Sequence, residues 1–383
     1  MNKTNTPAVS RIASIDILRG LVMLLMLLDH VRERFFYHVK ILDPLDIDDT
    51  HPTLFFTRIT AHLCAPIFVF LTGLSAWLYA NPAQKPSRSA SAFLFKRGLF
   101  LVLLEITIIN FSWFGDYQVL YLQVIWAIGI SMICLAALCK LDRKWIGTLG
   151  ALIVFGHNLL VPISFSPDET GYTIWAILHD RGFLINNEIL TIKASYPVLP
   201  WIGVILLGYF AGPLFGKTIT SNTRKISLVY IGLSCLFMLF VFRYFNMYGE
   251  TLPFEFQETF VKTLMSFINY TKYPPSLDFL LLTIGIGCLL LAWFENMNNK
   301  FTTALKTYGS APMFFYIFHL YVLLTLYKIL TAIYGTQQGE YFGFNHIWQI
   351  WALTITLSIA LYFPTKYFSN YKRQSSNKWI KYF

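Results

Sequence analysis

Between residues 13 and 365 the chain is divided into about ten apolar runs, most of them close to the roughly 20 residues an α-helix needs to cross a hydrocarbon layer. A segment in hydrocarbon must satisfy its backbone hydrogen bonds within itself, which leaves helices or closed barrels. The runs lie near 13–35, 54–80, 93–114, 118–139, 145–163, 197–214, 226–246, 277–295, 310–333 and 346–365. They predict an all-α fold, a polytopic transmembrane helical bundle of about ten helices, with residues 1–383 as one integral membrane domain. Only 13% of the 383 residues are charged, whereas soluble domains carry about 25%. No convincing internal repeat or low-complexity tract interrupts the pattern.

The net charge of +10 is a topology signal. Loops on the side of the N-terminus hold 19 bases and two acids, Asp142 and Glu295, while the opposite loops hold eight bases and 14 acids. The positive-inside rule then places both termini in the cytoplasm and excludes a nucleic-acid partner. Cys64, Cys134, Cys139, Cys235 and Cys288 all fall in apolar runs with no Cys-x-x-Cys pair, so neither a disulfide framework nor a zinc site is expected. The N-terminus lacks a short apolar core followed by small residues, so no removable signal peptide is expected.

Three bases and four acids remain inside the spans: Arg19, Arg58, Lys328, Asp16, Asp29, Glu105 and Asp278. Lys328 lies near a helix end, where it snorkels; the other six are functional candidates, because charge in hydrocarbon is costly. The first run concentrates them. Asp16, Arg19 and the Asp29-His30 pair bracket an apolar stretch, with Arg11 just before it. At about 100° per residue, Arg19 and His30 fall within about 20° of one another, about 16 Å apart along the axis. One polar stripe thus runs between the two membrane faces.

The second run contributes Arg58 and His62, spaced to share a face. With Asp29 and His30 at comparable depth, two histidines, an acid and an arginine can converge in the outer half of the membrane. Imidazole takes protons from hydroxyls and amines, and a carboxylate orients it. Toward the cytoplasm, Lys96-Arg97-Gly98 faces Arg19; these bases are either topology determinants or an anion site. Asp16 and Arg19 can equally pair with each other. Glu105 and His319 are each as consistent with structural as with functional use. Pro197 and Pro200 set the start of the sixth helix.

Ser14-Ile-Asp16-x-x-Arg19-Gly20, Asp29-His30, Ala65-Pro66 through Gly73, Lys96-Arg97-Gly98, Val119 to Ile125 and the Pro312-to-His319 segment resemble the membrane acetyltransferases typified by heparan-alpha-glucosaminide N-acetyltransferase. The resemblance covers most of the chain. It implies an enzyme that takes an acetyl group from cytoplasmic acetyl-CoA and delivers it to a sugar or glycan acceptor across the membrane. It further implies that Arg19, Lys96 and Arg97, beside Asp16, hold the nucleotide phosphates, and that the acyl chain threads toward the histidines. By spacing back from Pro66 and Gly73, His51 matches the active histidine of the animal enzyme, whereas the position of His30 is an asparagine there. The sequence around His62 resembles a bacterial-type variant, which implies the bacterial inner membrane.

The candidate catalytic residues are therefore His30, His62, Asp29 and His51, with Arg58 and His319 toward the acceptor and Arg19, Lys96, Arg97 and Asp16 toward the donor. No metal is expected, since none of the histidine spacings makes a zinc motif. The expected partners are membrane lipid, acetyl-CoA and the acceptor, with a homodimer left open. A proton-coupled secondary transporter or flippase is the rival reading, because intramembrane charges also serve transport. Internal repeats and paired broken helices, frequent in transporters, are not visible.

Overall fold

The computed structural model describes residues 12–377 and 379–383; Lys3, Arg11 and Lys378, counted above among the inner-side bases, lie outside the described residues. Among the described residues the chain forms fifteen α-helices: α1 (Ala13–Phe35), α2 (Pro52–Ala61), α3 (Cys64–Ala80), α4 (Ser91–Leu104), α5 (Asn110–Phe114), α6 (Val124–Leu138), α7 (Arg143–Gly156), α8 (Tyr172–Leu178), α9 (Leu199–Ala211), α10 (Ser221–Tyr244), α11 (Phe260–Ile268), α12 (Leu277–Phe294), α13 (Lys300–Ser310), α14 (Pro312–Tyr334) and α15 (Ile347–Gln374). The fold departs from an all-α expectation in one small sheet of β1 (Val119–Leu122), β2 (Gly182–Asn186) and β3 (Thr191–Ala194). β3 is central, parallel to β1 and antiparallel to β2. β2 and β3 come from the loop between the runs near 145–163 and 197–214, whereas β1 takes the first residues of the run predicted at 118–139, so the helix there starts only at Val124.

Among the described residues five segments are individually long and apolar enough to cross a membrane: Pro52–Ala80, Ser221–Tyr244, Leu277–Phe294, Pro312–Tyr334 and Ile347–Gln374. Residues 124–138 and 199–215 are apolar but shorter. α1 is not among the five, because Asp16, Arg19, Asp29, Arg32, Glu33 and Arg34 leave no long window of low charge. Yet α1 is enclosed by other helices. Ile17, Leu18, Val22, Met23, Leu27, Leu28 and Val31 are fully buried against α3, α12, α13, α14 and α15. Large apolar side chains are exposed instead on the rim, such as Phe237 on α10 and Phe363 on α15, as befits helices whose solvent is lipid.

Two helix boundaries follow from proline. The run near 54–80 reads as one helix but breaks at His62-Leu63. Pro66 has no N–H for the His62 carbonyl, and its ring crowds that carbonyl. Pro312 likewise opens α14 and separates it from α13. The α13 segment was not among the predicted spans. It lies along α1, where Gly20 meets the Leu305 backbone and Gly309 meets the Asp16 backbone so closely that a Cβ on either would collide with a carbonyl.

Candidate active site

A cavity of about 600 Å³ runs beside α1 from Asp16 to His30, a rise of about 21 Å on the helix. Its walls come from α1, α2, α3, α4, α6, α13, α14 and α15, with Tyr196 and Lys272 added from loops. Its chemistry changes along its length.

The Asp16 end is basic. Arg19 Nη1 donates to Asp16 Oδ1 at 2.8 Å and to the Gly309 carbonyl at 3.3 Å, and Nη2 donates to Ser75 Oγ at 3.2 Å. The i,i+3 pairing allowed by the sequence is therefore made, and it coexists with a place on the cavity wall. Arg97 lines the same end, while Lys96 is exposed and does not line it. Lys372 and Arg373, from the end of α15, complete the basic wall. Lys372 Nζ reaches the Ser310 carbonyl at 3.5 Å, and Ser310 Oγ meets Ser369 Oγ at 2.6 Å. In the sequence these last two bases read only as topology determinants; their one local signal is that they follow the final apolar run by less than three turns.

The middle of the cavity is apolar, walled by Met23, Met26, Phe68, Ile128, Met132 and Met313. Methionine thioethers adapt to a flexible occupant at little cost.

The far end carries His30, Asp29, Tyr316, Tyr196 and Lys272. His30 pairs with His319, not with His62: His30 Nδ1 lies 2.7 Å from His319 Nε2, and the rings stack with centroids 5.0 Å apart. His319 Nδ1 lies 2.7 Å from the Phe315 carbonyl. A carbonyl oxygen only accepts, so His319 Nδ1 carries the hydrogen and its Nε2 is the acceptor in the neutral ring. His30 Nδ1 must then donate, which leaves the lone pair of His30 on Nε2. Edge-on contacts to Trp113 and Tyr316 hold the ring. A cavity-lining imidazole with its lone pair fixed on one nitrogen can take a proton from a hydroxyl or an amine.

The remaining candidates make other contacts. Asp29 does not orient a histidine; it accepts from Arg32 Nε and Nη2 at 3.0 and 2.8 Å and lies 3.8 Å from Lys272 Nζ. Arg58 faces Asp43 at 3.8 Å. Asp43 is a largely buried loop carboxyl, and burial raises its pKa against the pull of Arg58 and Lys272. His62 is buried against Phe279 outside the cavity wall, and neither ring nitrogen has a hydrogen-bond partner among the described residues. His51 is an exposed N-cap of α2, its Nδ1 bonded to Thr53. Glu105 is fully buried at a π-turn following α4, and its Oε2 accepts the Trp126 backbone N–H at 3.0 Å. It thereby caps α6 from another helix, compensating the positive end of that helix. Among the described residues no group of three His, Cys, Asp or Glu side chains is arranged to hold a metal ion.

The sequence points to a family as well. The catalytic-domain model of heparan-alpha-glucosaminide N-acetyltransferase matches residues 11–242, more than half of the chain. No curated protein matches the chain. The match takes in α1 through α9 and nearly all of α10, so it holds Arg19, His30, His51, His62 and Arg97, while Lys272, His319, Lys372 and Arg373 lie beyond it. By that match, the chain belongs to the heparan-alpha-glucosaminide N-acetyltransferase catalytic-domain family.

Proposed function

We propose that residues 1–383 act as one integral membrane acetyltransferase domain, moving an acetyl group from acetyl-CoA on the cytoplasmic side to a sugar or glycan acceptor on the extracytoplasmic side. The observation that carries this reading is a single cavity that joins a basic wall of Arg19, Arg97, Lys372 and Arg373 to His30 through an apolar middle. That order fits acetyl-CoA as donor: phosphates at the bases, an extended thioester arm in the middle, and the acetyl carbon beside an imidazole. The charge asymmetry of the loops supports cytoplasmic termini and hence a cytoplasmic basic end. A bacterial inner membrane is the location that fits the bacterial-type resemblance.

In this reading His30 Nε2 receives the acceptor's proton and His319 fixes the tautomer. Arg58, His62 and Asp29 support the acceptor end around it, and Asp16 holds Arg19. His51, favoured by spacing to the animal enzyme, is the rival base. The test is purified protein incubated with radiolabelled acetyl-CoA and a panel of amino sugars. Label that moves only when both an acceptor and active protein are present supports the reading. Acetyl-CoA binding without transfer to any acceptor, at loadings where a transferase would turn over, overturns it.

A further inference from the structure

Lys272 is one of the eight bases in the loops opposite the N-terminal side, and it lies beyond the family match. In the structure it is 4% exposed and forms part of the cavity wall beside Asp29 and His30. Its backbone is held in place. The Lys272 N–H donates to both carboxylate oxygens of Asp43 at 3.2 Å, and the preceding Thr271 is bonded through N and Oγ1 to Glu250 at 2.8 and 2.6 Å. The side-chain ammonium is not consumed. Among the described residues Nζ makes no hydrogen bond: its nearest carboxylate oxygen, on Asp29, is 3.8 Å away, and the Tyr273 ring centroid is 5.2 Å away. Asp29 is itself taken up by Arg32. Burial alone would favour the neutral amine, but Tyr273 and Asp29 outweigh it and raise the Lys272 pKa above its ordinary value. A buried ammonium with three donors and no acceptor is costly unless something that enters the cavity accepts from it.

We propose that Lys272 is a catalytic residue of the acetyl transfer, its ammonium donating to the acetyl carbonyl oxygen as negative charge develops there, opposite the proton-accepting Nε2 of His30. The proposal rests on the acetyl-transfer reading above. In the step, the acceptor's hydroxyl or amine proton passes to His30 Nε2 and the acceptor's electron pair bonds to the acetyl carbon. The carbonyl π pair moves onto oxygen, where Lys272 donates to it. The pair then returns, the carbon–sulfur bond breaks with its electrons on sulfur, and sulfur takes the proton from His30. Lys272 keeps its three protons throughout. A donor fixed in advance by its backbone and shielded from bulk water acts most strongly on such charge.

The experiment compares the full chain with Lys272→Met, Lys272→Arg and Lys272→Cys, the last before and after alkylation with 2-bromoethylamine, which rebuilds an ammonium at the same reach. Removing one donor of this kind should lower kcat about 10²–10³-fold while KM for acetyl-CoA changes by no more than about twofold. Lys272→Arg should retain part of the rate. Alkylation should restore Lys272→Cys by at least about tenfold, with the parent treated identically as control. Lys272→Met within about threefold of the parent rate overturns the proposal. So does a lost rate that alkylation fails to restore. A parent that transfers to no acceptor overturns the acetyl-transfer reading itself and this step with it.

Discussion

A neutral imidazole has one lone pair, and the partner of its other nitrogen decides where that pair points. The chain Phe315 carbonyl, His319, His30 makes that decision here. His30→Ala should therefore lower acetyl transfer about 10²–10⁴-fold. His319→Ala, which leaves the His30 ring but frees its tautomer, should cost about tenfold or more and less than His30→Ala. Rates at matched expression check the ranking, and His51→Ala is the control that should stay near parental. Arg19→Ala or Arg97→Ala should weaken acetyl-CoA binding about 5–150-fold, the equivalent of ~1–3 kcal/mol, measured by ligand titration. The Arg19–His30 stripe was legible because both residues ride one helix at a readable period. The partner of His30 was not: His319 is 289 residues away, and His62 offered the same ring at a comparable depth.

At the scale of elements, local chemistry explains where helices stop, and long-range contacts explain what holds their ends. Pro66 is visible in the sequence and its rule is known, yet the long apolar run around it hides the break at His62. α13 is hidden for the opposite reason: Lys300–Ser310 is too polar to read as a span, and its close contacts with α1, at Gly20 and at Gly309, give it a place. Gly20→Val should force α1 and α13 apart and lower both the melting temperature in detergent and the yield of folded protein. Glu105 is as consistent in the sequence with structural as with functional use; in the structure it caps α6, a role that the approach of two helices creates. Glu105→Ala should leave the α6 N-terminus uncapped, at a cost of about 1–3 kcal/mol, seen as a lower melting temperature. Glu105→Gln keeps an accepting oxygen and should lose less.

At the scale of the molecule, the loops carry the clearest message, because charge asymmetry is read by counting and needs no contacts. A reporter active only in the cytoplasm, fused after Phe383, should be active. The cavity is the part the sequence could not supply, since its two ends draw on residues from Asp16 to Arg373. The proposed function gives it a direction, donor at the basic end and acceptor at the histidine end. Everted membrane vesicles test this most directly, with an impermeant amino sugar in the lumen and radiolabelled acetyl-CoA added outside. Labelled sugar should appear in the lumen and be absent with His30→Ala. Label found only on acceptor added to the acetyl-CoA side would contradict it.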